Sequence, residues 1–103
     1  MSIARIDEQQ VQAFLSTHPH WREVGGKLHR EFRFKSFVEA FGFMAQSALV
    51  AERADHHPEW FNVYNRVVVE LVTHDASGIS QRDIDLARAM DLIAEALVQS
   101  ATA

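Results

Sequence analysis

Two pairs of strand-like segments, each pair joined by a short turn, flank one long helical stretch in the middle of the chain. This arrangement limits the fold more than any other feature, because each strand–turn–strand must close as an antiparallel hairpin and the helix must cover a sheet made from them. The first hairpin is predicted over about Trp21–Val24 and Lys27–Phe34, with Gly25-Gly26 supplying the positive φ values of a tight turn. In its second arm Leu28, Arg30, Phe32 and Phe34 alternate with His29, Glu31 and Arg33, so one face is mostly apolar and the other wet. The second hairpin is predicted over about Glu59–Tyr64 and Val67–Thr73, turning at Asn65-Arg66.

Between the hairpins, Ser36-Phe37-Val38-Glu39 has the form of a capping box and opens a helix to about Ala54. Helical spacing puts Phe37, Ala40, Phe41, Met44, Ala48 and Ala51 on its expected core face. Phe43 and Val50 fall elsewhere, so this helix is apolar on more than one side. Upstream, Asp7 with Gln10 caps a first helix with a Val11, Phe14, Leu15 stripe, which must stop before His18-Pro19. Downstream, Ser80 with Asp83 caps a last helix carrying Leu86, Met90, Ile93 and Leu97; its tail from Ser100 is expected to fray. The order helix–strand–strand–helix–strand–strand–helix predicts an α+β fold, a four-stranded antiparallel sheet with three helices packed on one face.

A chain of 103 residues is expected to be one domain over 1–103. The net charge of -4 argues against direct contact with nucleic acid, and the lack of cysteine excludes disulfides and thiolate metal sites. No apolar run approaches the ~20 residues of a membrane span, so the expectation is a cytoplasmic protein with no membrane partner.

Candidate chemistry gathers in Asp55-His56-His57-Pro58-Glu59-Trp60-Phe61-Asn62-Val63-Tyr64-Asn65 and in the downstream Thr73-His74. Imidazole has an unperturbed pKa of ~6.5 and can give and take protons near neutrality. With the turn at Asn65-Arg66, Tyr64 pairs with Val67, Trp60 with Leu71 and His57 with His74, whose Cβ atoms would lie ~4.5–5.5 Å apart. His56, held extended by Pro58, would point elsewhere. The last helix begins just after His74, so Arg82 and Asp83 can supply hydrogen bonds and a positive dipole end. On spacing alone the trio reads as acid–base chemistry, a three-histidine zinc site or structural histidines, although adjacent histidines diverge and make joint ligation awkward. His18, His20 and His29 read as structural or surface residues, and Trp60, Phe61 and Tyr64 as sheet packing. Glu52 is either surface decoration or reaches the same cleft from one turn earlier.

Taken with Ala40-Phe41-Gly42-Phe43-Met44, Ala51-Glu52, Gly78, Arg82-Asp83-Ile84 and Leu86-Ala87, these segments resemble the pterin-4a-carbinolamine dehydratase family from about Trp21 to the end of the last helix. The resemblance implies a hydro-lyase that converts the 4a-hydroxytetrahydropterin left by aromatic amino acid hydroxylases into quinonoid dihydropterin. It implies catalytic roles for His56, His57 and His74, and pterin contacts along Asp55-His56-His57 and Val72-Thr73-His74-Asp75. Glu52, Arg82 and Asp83 would be a supporting acid and ion pair, with Pro58 and Trp60 as supporting residues. Neither metal nor bound cofactor is implied. The family forms dimers that extend the sheet, and some pair into tetramers through helices. Some relatives also act as dimerisation cofactors for a transcription factor and some serve as assembly factors, so a non-catalytic binding module on this fold is the alternative. Asp55 stands where the family often has asparagine, and Asp75 where it commonly has glutamate.

Overall fold

The computed structural model describes the backbone of residues 3–102 and the side chains of residues 3–98. The elements are α1 (Glu8–Thr17), β1 (Arg22–Val24), β2 (Lys27–Arg33), α2 (Phe37–Ala54), β3 (Glu59–Val63), β4 (Arg66–Leu71), a single 3-10 turn (His74–Ala76) and α3 (Gln81–Thr102). The strands form one four-stranded antiparallel sheet, as the α+β reading expects, and its order is β1-β2-β4-β3. The last helix runs on to Thr102, past the expected start of fraying; Ala103 lies outside the described residues.

Alternation decides which face of the sheet is covered. Leu28, Phe32, Val67, Val69 and Leu71 all point one way and are buried, together with Val11 and Phe14 of α1 and Leu86 and Met90 of α3. The opposite face carries His29, Glu31, Arg33, Arg66 and Glu70, tied by His29–Glu70 and Arg66–Glu31 ion pairs. Arg30 stands in the apolar row because it has a part-buried partner: its guanidinium donates to Asp91 at 2.6 Å, and Trp21 Nε1 donates to the same carboxylate. The Asp7–Gln10 capping box and the Gly25-Gly26 turn, with φ of 59° and 78°, form as the sequence indicates.

Two expectations are corrected. The core face of α2 is Ala40, Phe43, Ser47 and Ala51, whereas Phe37 and Phe41 are 48% and 57% exposed and Ala48 is exposed. Two apolar stripes compete on this helix. The buried one sets Phe43 against Phe32 and Phe34, with ring centroids 4.5 and 5.0 Å away, while small side chains on either side let the helix lie close.

The second hairpin turns one residue earlier, at Tyr64-Asn65, with Tyr64 at φ 50°. Asparagine amides fix it. Asn62 Nδ2 donates to the carbonyls of Tyr64 and Arg66, and Asn65 Nδ2 donates to the carbonyl of Phe34, whose own N–H returns to Asn65 O at 2.9 Å. Trp60 therefore opposes Val69 rather than Leu71, and the His57–His74 cross-strand pair does not form. The register moves by two positions on β4, so every side chain keeps its face.

Candidate active site

The end of α2 aims the two adjacent histidines. Asp55 takes the left-handed conformation, φ 50° and ψ 43°, and donates its N–H to Glu52 O, while the N–H of His56 reaches Ala51 O. This pair of reversed bonds is the Schellman ending, usually made with glycine; asparagine and aspartate are the side chains that best tolerate its geometry. The chain is thus turned sharply off the helix, and Pro58 keeps it extended into β3.

His56 goes inward and is nearly buried. Its Nε2 meets Asp83 Oδ1 at 2.5 Å, and Asp83 is completely buried in the first turn of α3. The other carboxylate oxygen accepts from Thr73 Oγ1 at 2.8 Å and from the Ser80 N–H at 2.9 Å, while Thr73 and Ser80 share a hydroxyl–hydroxyl bond of 2.6 Å. A carboxylate offers only acceptors, so Nε2 of His56 carries hydrogen, and the ring's tautomer and tilt are set by Asp83. The helix N-terminus supplies the partial positive charge that favours a carboxylate there.

His57 and His74 are open to solvent. Each has a carboxylate of its own: His57 Nε2 lies 2.8 Å from Glu52 Oε1, and His74 Nε2 lies 3.4 Å from Glu59 Oε2. Glu59 also accepts from Lys27 Nζ at 2.5 Å; that hydrogen bond holds its carboxyl below the usual range and raises the Lys27 ammonium. The 3-10 turn that presents His74 is closed by paired bonds between Thr73 and Gly78, and Ser77 is left-handed at φ 54°.

All three imidazoles border one cleft of about 310 Å³. Asp55, Val72, Thr73, Asp75 and Arg82 line it too, so every residue expected to contact substrate is brought together. Glu52 reaches it through His57, but Arg82 and Asp83 do not pair with each other, since Asp83 is taken by His56. Trp60 is half-buried on the core face of β3, outside the cleft lining, and Pro58 shapes the entry to that strand. Sequence reasoning left two supports out. Glu59 lies two residues beyond His57 on one extended segment, a same-face signal that was available. Ser80, expected as a helix cap, also bonds Thr73 and Asp83. Among the described residues no group of three His, Cys, Asp or Glu side chains is arranged to hold a metal ion, and no helix is long and apolar enough to cross a membrane.

Comparison with known proteins gives a consistent result. The family described as "Pterin 4 alpha carbinolamine dehydratase" matches residues 4–93. Relatives named "Putative pterin-4-alpha-carbinolamine dehydratase" include one from Novosphingobium aromaticivorans, 55% identical over 88% of this chain and 97% of its own. Another, from Solibacter usitatus, is 50% identical over 87% of this chain and 95% of its own. A crystal structure from Brucella melitensis, titled as a transcriptional coactivator/pterin dehydratase, superposes with a TM-score of 0.83 at 50% identity, covering 87% of this chain and 98% of that one.

Proposed function

The chain belongs to the pterin 4 alpha carbinolamine dehydratase family, and from that footing we propose that it dehydrates a 4a-hydroxytetrahydropterin to the quinonoid dihydropterin by histidine acid–base catalysis. The observation that carries this reading is the convergence of three imidazoles on one cleft, each paired with a different carboxylate. The reaction requires a proton at the 4a-hydroxyl as the C–O bond breaks, because hydroxide is a poor leaving group. It also requires removal of the N5 proton as that nitrogen's electron pair forms the N5–C4a double bond. One proton is given, one is taken, and water leaves. Positioned acid–base groups contribute roughly 10²–10⁴-fold each.

His56 or His57 serves the hydroxyl side and His74 the N5 side. A carboxylate behind each ring supports both duties, since it orients the imidazole and stabilises its charged form during transfer. Acceptors at Asp55 and Asp75 suit the amino and N–H edge of a pterin, and Arg82 suits its carbonyl oxygen. The whole chain acts as one domain, in the cytoplasm, beside an aromatic amino acid hydroxylase that generates the substrate, and needs neither metal nor bound cofactor.

Self-association into a dimer or tetramer is part of this reading. Supporting it are the outward Phe37, Val38, Phe41 and Leu49 of α2 and the free edges of β1 and β3. The same exposed α2 face also supports a second reading, a protein-binding module, in keeping with the coactivator wording attached to the Brucella melitensis structure.

The test follows decay of carbinolamine absorbance in stopped flow. Micromolar protein accelerates it, and His57→Ala and His74→Ala each slow it by at least about 10²-fold. No acceleration by the unaltered protein overturns the enzymatic reading.

A further inference from the structure

Residues Ile3–Ile6 form a strap alongside the loop that closes the cleft. Arg5 makes an antiparallel bridge with Ser80, and the Ile6 N–H donates to Ile79 O at 3.0 Å. The Arg5 side chain lies directly over Gly78, where a Cβ would stand 2.5 Å from Arg5 Cδ. The strap is therefore fastened to the same short stretch that holds the active-site floor, since Gly78 pairs with Thr73 and Ser80 bonds both Thr73 and Asp83.

Fastened there, the strap carries half-buried Ile3 into the cleft wall beside His57, His74 and Arg82. Val72 is the other aliphatic residue of a lining that is otherwise polar or charged. A flat heterocycle bound by its polar edge leaves an apolar ring face to cover, and imidazoles and carboxylates cover it poorly. Ile3 also lies just before residues 4–93, the segment matched to the family.

We propose that Ile3 is a substrate-binding residue of this chain, packing on the ring face of the bound pterin; this rests on the dehydratase reading above. Because Ile3 touches no atom that gains or loses a proton, it binds ground state and transition state alike, and its loss shows in KM rather than kcat. Removing most of an aliphatic side chain from a partly buried contact weakens binding by about 5–20-fold.

The experiment compares Ile3→Ala and Ile3→Leu with the unaltered chain in the carbinolamine decay assay. Expected is a KM raised about 5–20-fold in Ile3→Ala with kcat within about twofold and an unchanged melting temperature, and recovery in Ile3→Leu. Acceleration by the unaltered chain with unchanged KM in Ile3→Ala overturns the assignment while leaving the dehydratase reading intact. A fall in kcat at constant KM overturns it as well. If the unaltered chain gives no acceleration, the dehydratase reading fails, and fluorescence titration with a stable 7,8-dihydropterin decides the assignment. Weaker binding by Ile3→Ala then supports it, and equal or absent binding overturns it.

Discussion

Replacing Asp83 with asparagine tests the link between the buried carboxylate and the chemistry. The substitution keeps the shape and removes the charge at a fully buried site that receives three donors, His56 Nε2 at 2.5 Å, Thr73 Oγ1 at 2.8 Å and the Ser80 N–H at 2.9 Å. An amide has one acceptor atom and one donor group. Turned one way, its oxygen keeps Thr73 and Ser80, and its NH₂ faces His56, which must move its hydrogen to Nδ1. Turned the other way, it keeps His56 but sets its NH₂ against the Ser80 N–H, while the Thr73 hydroxyl must turn its hydrogen toward Ser80 Oγ. The first arrangement loses less, so Asp83→Asn inverts the His56 tautomer. Hydrogen bonds to a charged group contribute about 1.5–3 kcal/mol and neutral ones about 1. Weakening all three bonds at once predicts a loss of about 2–5 kcal/mol, comparable to the 3–5 kcal/mol for breaking a buried pair outright. For a chain of this size that lowers Tm by about 8 °C or more. On the dehydratase reading proposed above, the dehydration rate falls by about 10²–10³-fold with little change in KM, the mark of a misdirected acid–base group. Thermal melts measure the first quantity, stopped flow the second, and nitrogen-15 shifts of the ring report the tautomer. Stability within 1 kcal/mol of the parent, together with kcat within twofold, would refute the claim that Asp83 sets the His56 ring.

Other outcomes follow from single features. Ser47 is completely buried on α2 and its hydroxyl has no partner among the described residues, so Ser47→Ala stabilises the protein by about 1 kcal/mol; a lower Tm contradicts this. Asp55 ends α2 in the left-handed region, so Asp55→Gly melts at or above the parent temperature, while Asp55→Ala loses about 1 kcal/mol. A more stable alanine variant would show that φ at this position is not the controlling factor. Burial, and then the neighbouring Glu8 carboxyl, raise the Glu23 carboxyl above its ordinary 4.5. An acid raised in the folded state stabilises below its unfolded pKa and loses that contribution as pH rises through the folded value. Glu23→Gln is therefore slightly more stable than the parent at pH 7, and the difference vanishes below about pH 4.5 in melts taken across that range.

The elements themselves were legible because their signals are local. A cap three residues from its partner, a Gly-Gly turn and an alternation of period two are read within one segment, and the Asp7–Gln10 box and first hairpin formed as expected. The histidine run and His74 stand out in the sequence as candidate chemistry, and although the expected His57–His74 pair does not form, both residues border the same cleft. The register of the second hairpin was not legible. Asn65-Arg66 and Tyr64-Asn65 are equally plausible turns within the hairpin, and the choice between them rests on Asn65 bonding the carbonyl of Phe34, 31 residues away. The face of α2 was misread for a related reason. Both stripes are apolar, and distant partners, among them Phe32 on β2 and Phe34 just beyond it, select Phe43 over Phe37 and Phe41.

By itself, then, the sequence determined the order of elements, the covered face of the sheet and the residue types that could do proton chemistry. Tertiary structure decided how those residues differ. It buried His56 against Asp83, 27 positions away, left His57 and His74 in solvent with Glu52 and Glu59, and brought Ile3 into the cleft by way of Ser80 and Gly78. Helix and strand periods depend on neighbours a few residues apart, whereas a ring's tautomer and exposure depend on groups that only the closed fold brings within hydrogen-bond reach.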